Sequence, residues 1–155
     1  MRHDARGFSL IEVVVALALL AGVLISIAGL FVIGARQVES GRESTEALSV
    51  ARGIIEQMNK WGFHQTYELF GANGTAATYT WDTRTISDPP TTGMGKWQPM
   101  LHQKIPGAYA TITVTSIGPG TPPVLNLTRA MRVVVTVRWR ERMRQRQVQL
   151  ATVRM

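Results

Sequence analysis

The first forty residues contain an apolar run that is long enough to cross a membrane, with one carboxylate at its start. Nearly every side chain from Val13 to Ala35 is apolar. As an α-helix this run would be about 35 Å long, against about 30 Å for the hydrocarbon core of a bilayer. Glu12 directly precedes it, and no other ionisable side chain occurs between Glu12 and Arg36. Because a carboxylate is costly at membrane depth, Glu12 requires a functional explanation.

The charges around this run predict its orientation. Arg2 and Arg6 lie on its N-terminal side, which favours a cytoplasmic N-terminus and export of the remainder. The run is longer than the apolar region of a secretory signal and lacks a small-residue cleavage site at its end, so we expect it to stay on the mature protein. The chain has 155 residues, a formal net charge of +7 and no cysteine, which excludes disulfide and thiolate chemistry.

The segment from Arg36 to about Trp61 has the pattern of an amphipathic helix that continues out of the membrane. Apolar side chains recur there at three- and four-residue spacing, at Leu48, Ala51, Ile55 and Met58. Charged side chains fall mainly on the other side. This pattern predicts a helix that packs on a sheet, and the same helix could also contact neighbouring subunits at another height.

Three segments near the C-terminus alternate between apolar and polar residues, which is typical of half-buried strands. They are residues 109–117, 131–140 and 147–153. The last two are predicted to form a hairpin that turns around residues 141–145. A shorter strand is predicted at 79–86, within a middle region (62–107) whose topology the sequence leaves open. One long helix and a small antiparallel sheet of three or four strands define an α+β fold.

The most specific signal is a short motif at the start of the apolar run, Gly7-Phe8-Ser9-Leu10-Ile11-Glu12-Val13. It resembles the processing signal of type IV prepilins and type II secretion pseudopilins. The shared features are a short basic leader, Gly before the cut, Phe after it, Glu at the fifth mature position and a membrane-length run. The resemblance covers roughly residues 1–60, and the remainder agrees only in its helix-on-sheet architecture.

This resemblance implies that a membrane prepilin peptidase cuts between Gly7 and Phe8 on the cytoplasmic face and methylates the new amine of Phe8. It divides the chain into a leader (1–7), a transmembrane N-terminal helix (8–35) and an exported globular pilin-like domain (36–155). The subunit would span the inner membrane once, with a periplasmic C-terminal domain. An inner-membrane assembly platform would then add it to a filament of other pilin or pseudopilin subunits.

Glu12 is the candidate assembly residue. Either charge alone is costly in lipid, but Glu12 and the Phe8 amine of a neighbouring subunit would neutralise each other and fix the axial register. The alternative is a shallow Glu12 whose carboxylate reaches the lipid headgroups. The Gly-Phe signature favours the pairing role.

A second candidate site is the basic C-terminal hairpin, with Arg132, Arg138, Arg140, Arg142 and Arg144. Its first three arginines are predicted to share one face of their strand. Three uses remain open: a solvated outer face, contact with acidic neighbouring subunits, or a grip on DNA phosphates.

The rest of the chain offers no catalytic constellation. His64 and His102 stand alone, without a second metal ligand at suitable spacing. We therefore expect a structural protein, not an enzyme, that needs no cofactor or metal. The alanine- and valine-rich helix and the cysteine-free domain are similar to the minor pilin V and pseudopilin I groups. The prediction is a minor subunit of a type IV pilus or type II secretion pseudopilus; the alternative is a DNA-binding pilin of an uptake system.

Overall fold

A computed structural model gives the arrangement of most of the chain. It describes residues 9–70, 78–85, 93–118, 130–141 and 143–155. The helices are α1 (Leu10–Lys60), α2 (Phe63–Leu69) and α3 (Trp97–Lys104), and a short 3-10 helix, Met94–Lys96, precedes α3. The strands are β1 (Thr78–Asp82), β2 (Tyr109–Ile117), β3 (Ala130–Glu141) and β4 (Arg144–Arg154). This is the predicted α+β fold.

Helix α1 contains both predicted helical segments. It begins where the carbonyl oxygen of Ser9 accepts hydrogen bonds from the backbone N–H groups of Glu12 and Val13, at 3.0 and 3.2 Å. Its 51 residues include no proline, and alanine and leucine favour the helix over much of its length. The chain forms two compact units, one ending at Ser40 and the other running from Gly41 to Met155. We call them the N-terminal unit and the C-terminal unit.

The C-terminal unit contains a four-stranded antiparallel sheet, in the order β1-β2-β3-β4, among the described residues. The register pairs Trp81 with Ile112, Ile112 with Val135, and Val135 with Leu150. Each strand therefore pairs with the strand that precedes or follows it in sequence, an arrangement that is typical of antiparallel sheets. The predicted hairpin is confirmed, and both of its strands extend further toward the turn than the sequence pattern indicates.

One face of the sheet packs on the C-terminal part of α1. Alternate side chains of β2 and β3 are buried there, from Ile112 and Val114 to Val133, Val135 and Val137. They form a core with the buried side of α1, which consists of Ala47, Val50, Ala51, Ile54, Ile55 and Met58. The buried face predicted by the alternation of the strands and the buried face predicted by the helical spacing of α1 therefore pack against each other in one core, as expected for a helix on a sheet.

The middle region is more regular than its sequence pattern suggests, because α2 and α3 lie within it. Helix α3 is attached to its surroundings by side chains: the indole N–H of Trp97 donates to Gln57 Oε1 at 2.8 Å, and Gln98 Nε2 donates to the carbonyl oxygen of Ala108 at 3.0 Å. The fully buried Trp97 also lies 6.0 Å from the ring of Trp61. Tertiary packing thus stabilises helices that are too short to form alone.

Candidate processing and assembly site

Glu12 lies in the first turn of α1 and is exposed. A carboxylate at this position interacts favourably with the partial positive charge of the helix N-terminus. It adjoins an apolar surface formed by Val13, Ala16, Leu17 and Leu20. The structure therefore places an acidic group beside an exposed apolar strip.

The predicted cleavage site, Gly7 and Phe8, lies outside the described residues. The adjacent Ser9 is the first described residue, and α1 begins at Leu10. Cleavage after Gly7 would leave two residues ahead of this helix. The first turn of α1 would then contain Glu12, four residues after the new N-terminus in sequence.

The large apolar side chains of α1 from Leu10 to Val38 are all exposed, with 44% to 82% of their surface accessible. Such an extended apolar surface requires a partner, either lipid or other helices. Within the described residues one helix, Leu10–Lys60, is long and apolar enough to cross a membrane.

The second candidate site lies on the outer face of the sheet, opposite the core. Arg132, Arg138 and Arg140 alternate with the buried side chains of β3 and so share this face, as predicted. Threonines line the same face and pair across strands: Thr78 with Thr115 and Thr80 with Thr113, each at 3.2 Å between hydroxyl oxygens. The outer face is therefore polar and solvated along most of its length.

Local partners hold the middle of this face. Arg138 donates to Thr111 Oγ1 at 2.8 Å. Nearby, Arg84 donates to both carboxylate oxygens of Asp82, at 2.9 and 2.5 Å, and its guanidinium lies 3.9 Å from the ring centroid of Tyr109. The hydrogen bond from Arg84 lowers the pKa of Asp82 below its usual value, and burial opposes this shift only in part. A carboxylate in this cluster disfavours a continuous grip on phosphates.

The five predicted arginines do not form one stripe. Arg132 and Arg138 are six residues apart on β3, about 20 Å at the usual rise of a strand. Arg144 pairs with Glu141 in the register and therefore points to the other side of the sheet from Arg140. Arg142 lies outside the described residues. The structure thus separates Arg132 from a basic hairpin tip, which contains Arg140 and Arg144.

Two long-range contacts were missed by the sequence pattern. The indole N–H of Trp139, on β3, donates to Glu43 Oε2 on α1 at 2.9 Å. Arg154, on β4, donates to backbone carbonyl oxygens at the end of α1. The alternation of β4 places Arg154 on the inner face of the sheet with Leu150. Because a buried guanidinium needs hydrogen-bond acceptors, this position was a sequence signal for a contact of this kind.

Comparison with family models decides the character of the N-terminal site. The model of the prokaryotic N-terminal methylation motif matches residues 2–35. The chain carries a type IV prepilin-like signal. The match spans Gly7, Phe8, Glu12 and the apolar run, and it supports the assignment of the chain as a pilin-like or pseudopilin substrate of prepilin peptidase. No curated protein and no solved structure gave a significant match.

The described residues contain no group of three or more His, Cys, Asp or Glu side chains placed to hold a metal ion.

Proposed function

We propose that this protein is a minor structural subunit of a type IV pilus or a type II secretion pseudopilus. The observation that carries the proposal is the exposed Glu12 beside an exposed apolar helix surface, within a prepilin-like signal. Prepilin peptidase removes residues 1–7 and methylates Phe8. The subunit waits in the inner membrane, N-terminus cytoplasmic and C-terminal unit periplasmic, until the assembly platform adds it to the filament.

In this proposal the Glu12 carboxylate forms an ion pair with the methylated amine of Phe8 in a neighbouring subunit. The apolar surface of α1 is in contact with lipid before assembly and with neighbouring helices afterwards. Helix contacts alone would permit several axial positions, since apolar packing is not directional. A single buried charge pair selects one of them, because any other register leaves both charges unpaired in an apolar environment.

The role is structural and not enzymatic. This part of the proposal rests on the surfaces that the described residues offer, which are a polar sheet face, a basic hairpin and a long exposed apolar helix. The minor status rests on the similarity of the alanine- and valine-rich helix and the cysteine-free domain to the minor pilin V and pseudopilin I groups.

The proposal is tested by replacing Glu12. The Glu12→Ala variant should be processed normally but recovered in sheared filaments at less than about one tenth of the wild-type level, since one unpaired buried charge costs several kcal/mol. Glu39→Ala is the matched control, because Glu39 lies on the same helix beyond the apolar run. Wild-type recovery of Glu12→Ala filaments would refute the pairing role.

A further inference from the structure

The tip of the β3–β4 hairpin concentrates positive charge. Residues 138–146 contain five arginines and one carboxylate, Glu141. Glu141 is engaged by Arg146, whose Nε lies 2.8 Å from Glu141 Oε2. Arg140 and Arg144 are exposed on opposite sides of the tip and make no ion pair within the described part of the chain.

The turn between the two strands departs from the usual chemistry of short hairpins. Two-residue connections favour Asn, Asp and Gly, whereas this chain places Arg142 and Met143 between the strands. Met143 is 90% exposed at the apex. Local rules of this kind are broken mainly where function requires other residues. An apolar apex surrounded by guanidinium groups suits a surface that combines anionic headgroups with an apolar interior.

Contacts within the C-terminal unit show at which of its two ends the hairpin tip lies. Arg154, the register partner of Met131, binds the carbonyl oxygen of Met58, whereas Trp139 binds Glu43. Strand β3 therefore runs along α1 toward its earlier residues. The tip begins one residue after Trp139 and extends to Met143, four residues after it, which is on the order of 10 Å further. It stands at the end of the C-terminal unit where Gly41 enters.

Chain connectivity places this end close to the membrane. Arg36 is the first ionisable residue after the apolar run, and Gly41 follows five positions later. Five residue steps span at most about 18 Å, whatever path they follow. Gly41 therefore stays within about 18 Å of the end of the apolar run, which leaves the hairpin tip able to reach the headgroups while that run is in the bilayer.

We propose that the hairpin tip, through Arg140, Met143 and Arg144, binds the anionic phospholipid surface of the membrane that holds α1. The inference rests on the membrane-anchored state of the proposed function. Clusters of arginine next to a membrane span are attracted to anionic lipid, and exposed apolar side chains beside them enter the headgroup layer. The contact would hold the C-terminal unit against the membrane before assembly and would be released on extraction.

The experiment uses the full chain in lipid nanodiscs and takes advantage of the absence of native cysteine. A Met143→Cys variant carries a fluorophore, and a headgroup spin-labelled lipid serves as quencher. One set of discs contains phosphatidylcholine alone and the other contains phosphatidylcholine with phosphatidylglycerol. We expect quenching several-fold stronger in the anionic discs, and loss of the difference in about 1 M salt, where the Debye length falls to about 3 Å.

Charge variants in the Met143→Cys background separate the tip from the rest of the sheet. Arg140→Gln with Arg144→Gln should remove the lipid dependence. Arg132→Gln, on the same strand and face as Arg140 but about 27 Å away, should retain it. Equal quenching in both kinds of disc, or equal effects of the two variants, would overturn the proposal.

Two further readouts identify the cause of a failure. Co-elution of the chain with both kinds of disc reports the membrane anchor itself, so a chain that fails to enter any disc contradicts the proposed function. A fluorescence response to duplex DNA in phosphatidylcholine discs, without a response to anionic lipid, would assign the tip to nucleic acid and reject the lipid proposal.

Discussion

Arg154, next to the last residue of the chain, donates a hydrogen bond from its guanidinium to the carbonyl oxygen of Met58, at 3.0 Å. The same guanidinium reaches the carbonyl oxygen of Trp61 at 2.6 Å and Thr66 Oγ1 at 2.5 Å. Carbonyl groups at the end of a helix carry partial negative charge, so a guanidinium is well suited to this position. The edge strand β4 is thus fastened to the end of α1.

Replacing Arg154 should destabilise the C-terminal unit. Arg154→Gln loses most of the three hydrogen bonds and should lower the free energy of unfolding by about 2 kcal/mol, because hydrogen bonds to charged groups contribute about 1.5–3 kcal/mol and this group is partly exposed. The measurement is urea unfolding of the full chain in detergent, followed by tryptophan fluorescence. Arg144→Gln, exposed on the same strand, should remain within about 0.5 kcal/mol of wild type. Equal effects of both variants would contradict the fastening role.

The ion pair between Asp82 and Arg84 predicts a specific acid sensitivity. The pKa of Asp82 lies below its ordinary value of 3.8, first because of the hydrogen bond from Arg84. A lowered pKa in the folded state stabilises the fold above the unfolded-state pKa, and this stability is lost as pH falls through the folded-state pKa.

The stability difference between wild type and Asp82→Asn should therefore be constant above about pH 5 and shrink below about pH 4. Glu56→Gln is a control, since Glu56 is an exposed carboxylate on α1 in the same unit. The measurements at pH 6 and pH 2 lie about two units on either side of the ordinary pKa of an aspartate. If the stability difference between wild type and Asp82→Asn is the same at both pH values, the ion pair makes no contribution to stability.

Among the described glycines of the C-terminal unit, Gly93 is predicted to be the most sensitive to substitution. Its φ is +67°, and an added Cβ would lie 2.7 Å from Gln57 Nε2, whose side chain also accepts the Trp97 hydrogen bond. Gly107 has a φ of +76° with open space around it. Both alanine variants incur about 1–2 kcal/mol of left-handed backbone strain, and Gly93→Ala should cost about 1 kcal/mol more.

Thermal unfolding of the two variants in detergent measures this difference. A melting temperature for Gly93→Ala that is equal to that of Gly107→Ala would mean that Gln57 moves aside without losing its bond to Trp97. In that case the packing between α3 and α1 would not depend on this glycine.

The parts of the fold that could be predicted from sequence are those with a sustained period. The apolar run, the stripe ending at Met58 and the alternation around Val135 each specify one element and its buried side. Helices α2 and α3 could not be predicted in this way, because eight residues or fewer show no clear period and their stability comes from contacts with distant residues. Trp97, for example, finds its acceptor on Gln57, forty positions earlier.

The candidate sites also differ in how much of them could be predicted from sequence. Glu12 could be found from sequence because one carboxylate beside a long apolar run is conspicuous. The arginines of β3 were correctly assigned to one face, but their partners were not: Thr111 and Asp82 lie on other strands, and only the register brings them near Arg138. The location of the turn at Met143 likewise could not be predicted from sequence. It follows from the contact between Trp139 and Glu43, which shows at which end of the C-terminal unit the hairpin tip lies.

The central claim, that this chain is a prepilin-like substrate, is tested most directly by intact-protein mass spectrometry after coexpression with a prepilin peptidase. The account predicts loss of residues 1–7, Phe8 as the new N-terminus and the added mass of one methyl group on its amine. A catalytically inactive peptidase should leave the chain unprocessed. An intact N-terminus in the presence of active peptidase, or cleavage at a site other than the Gly7–Phe8 bond, would contradict the account.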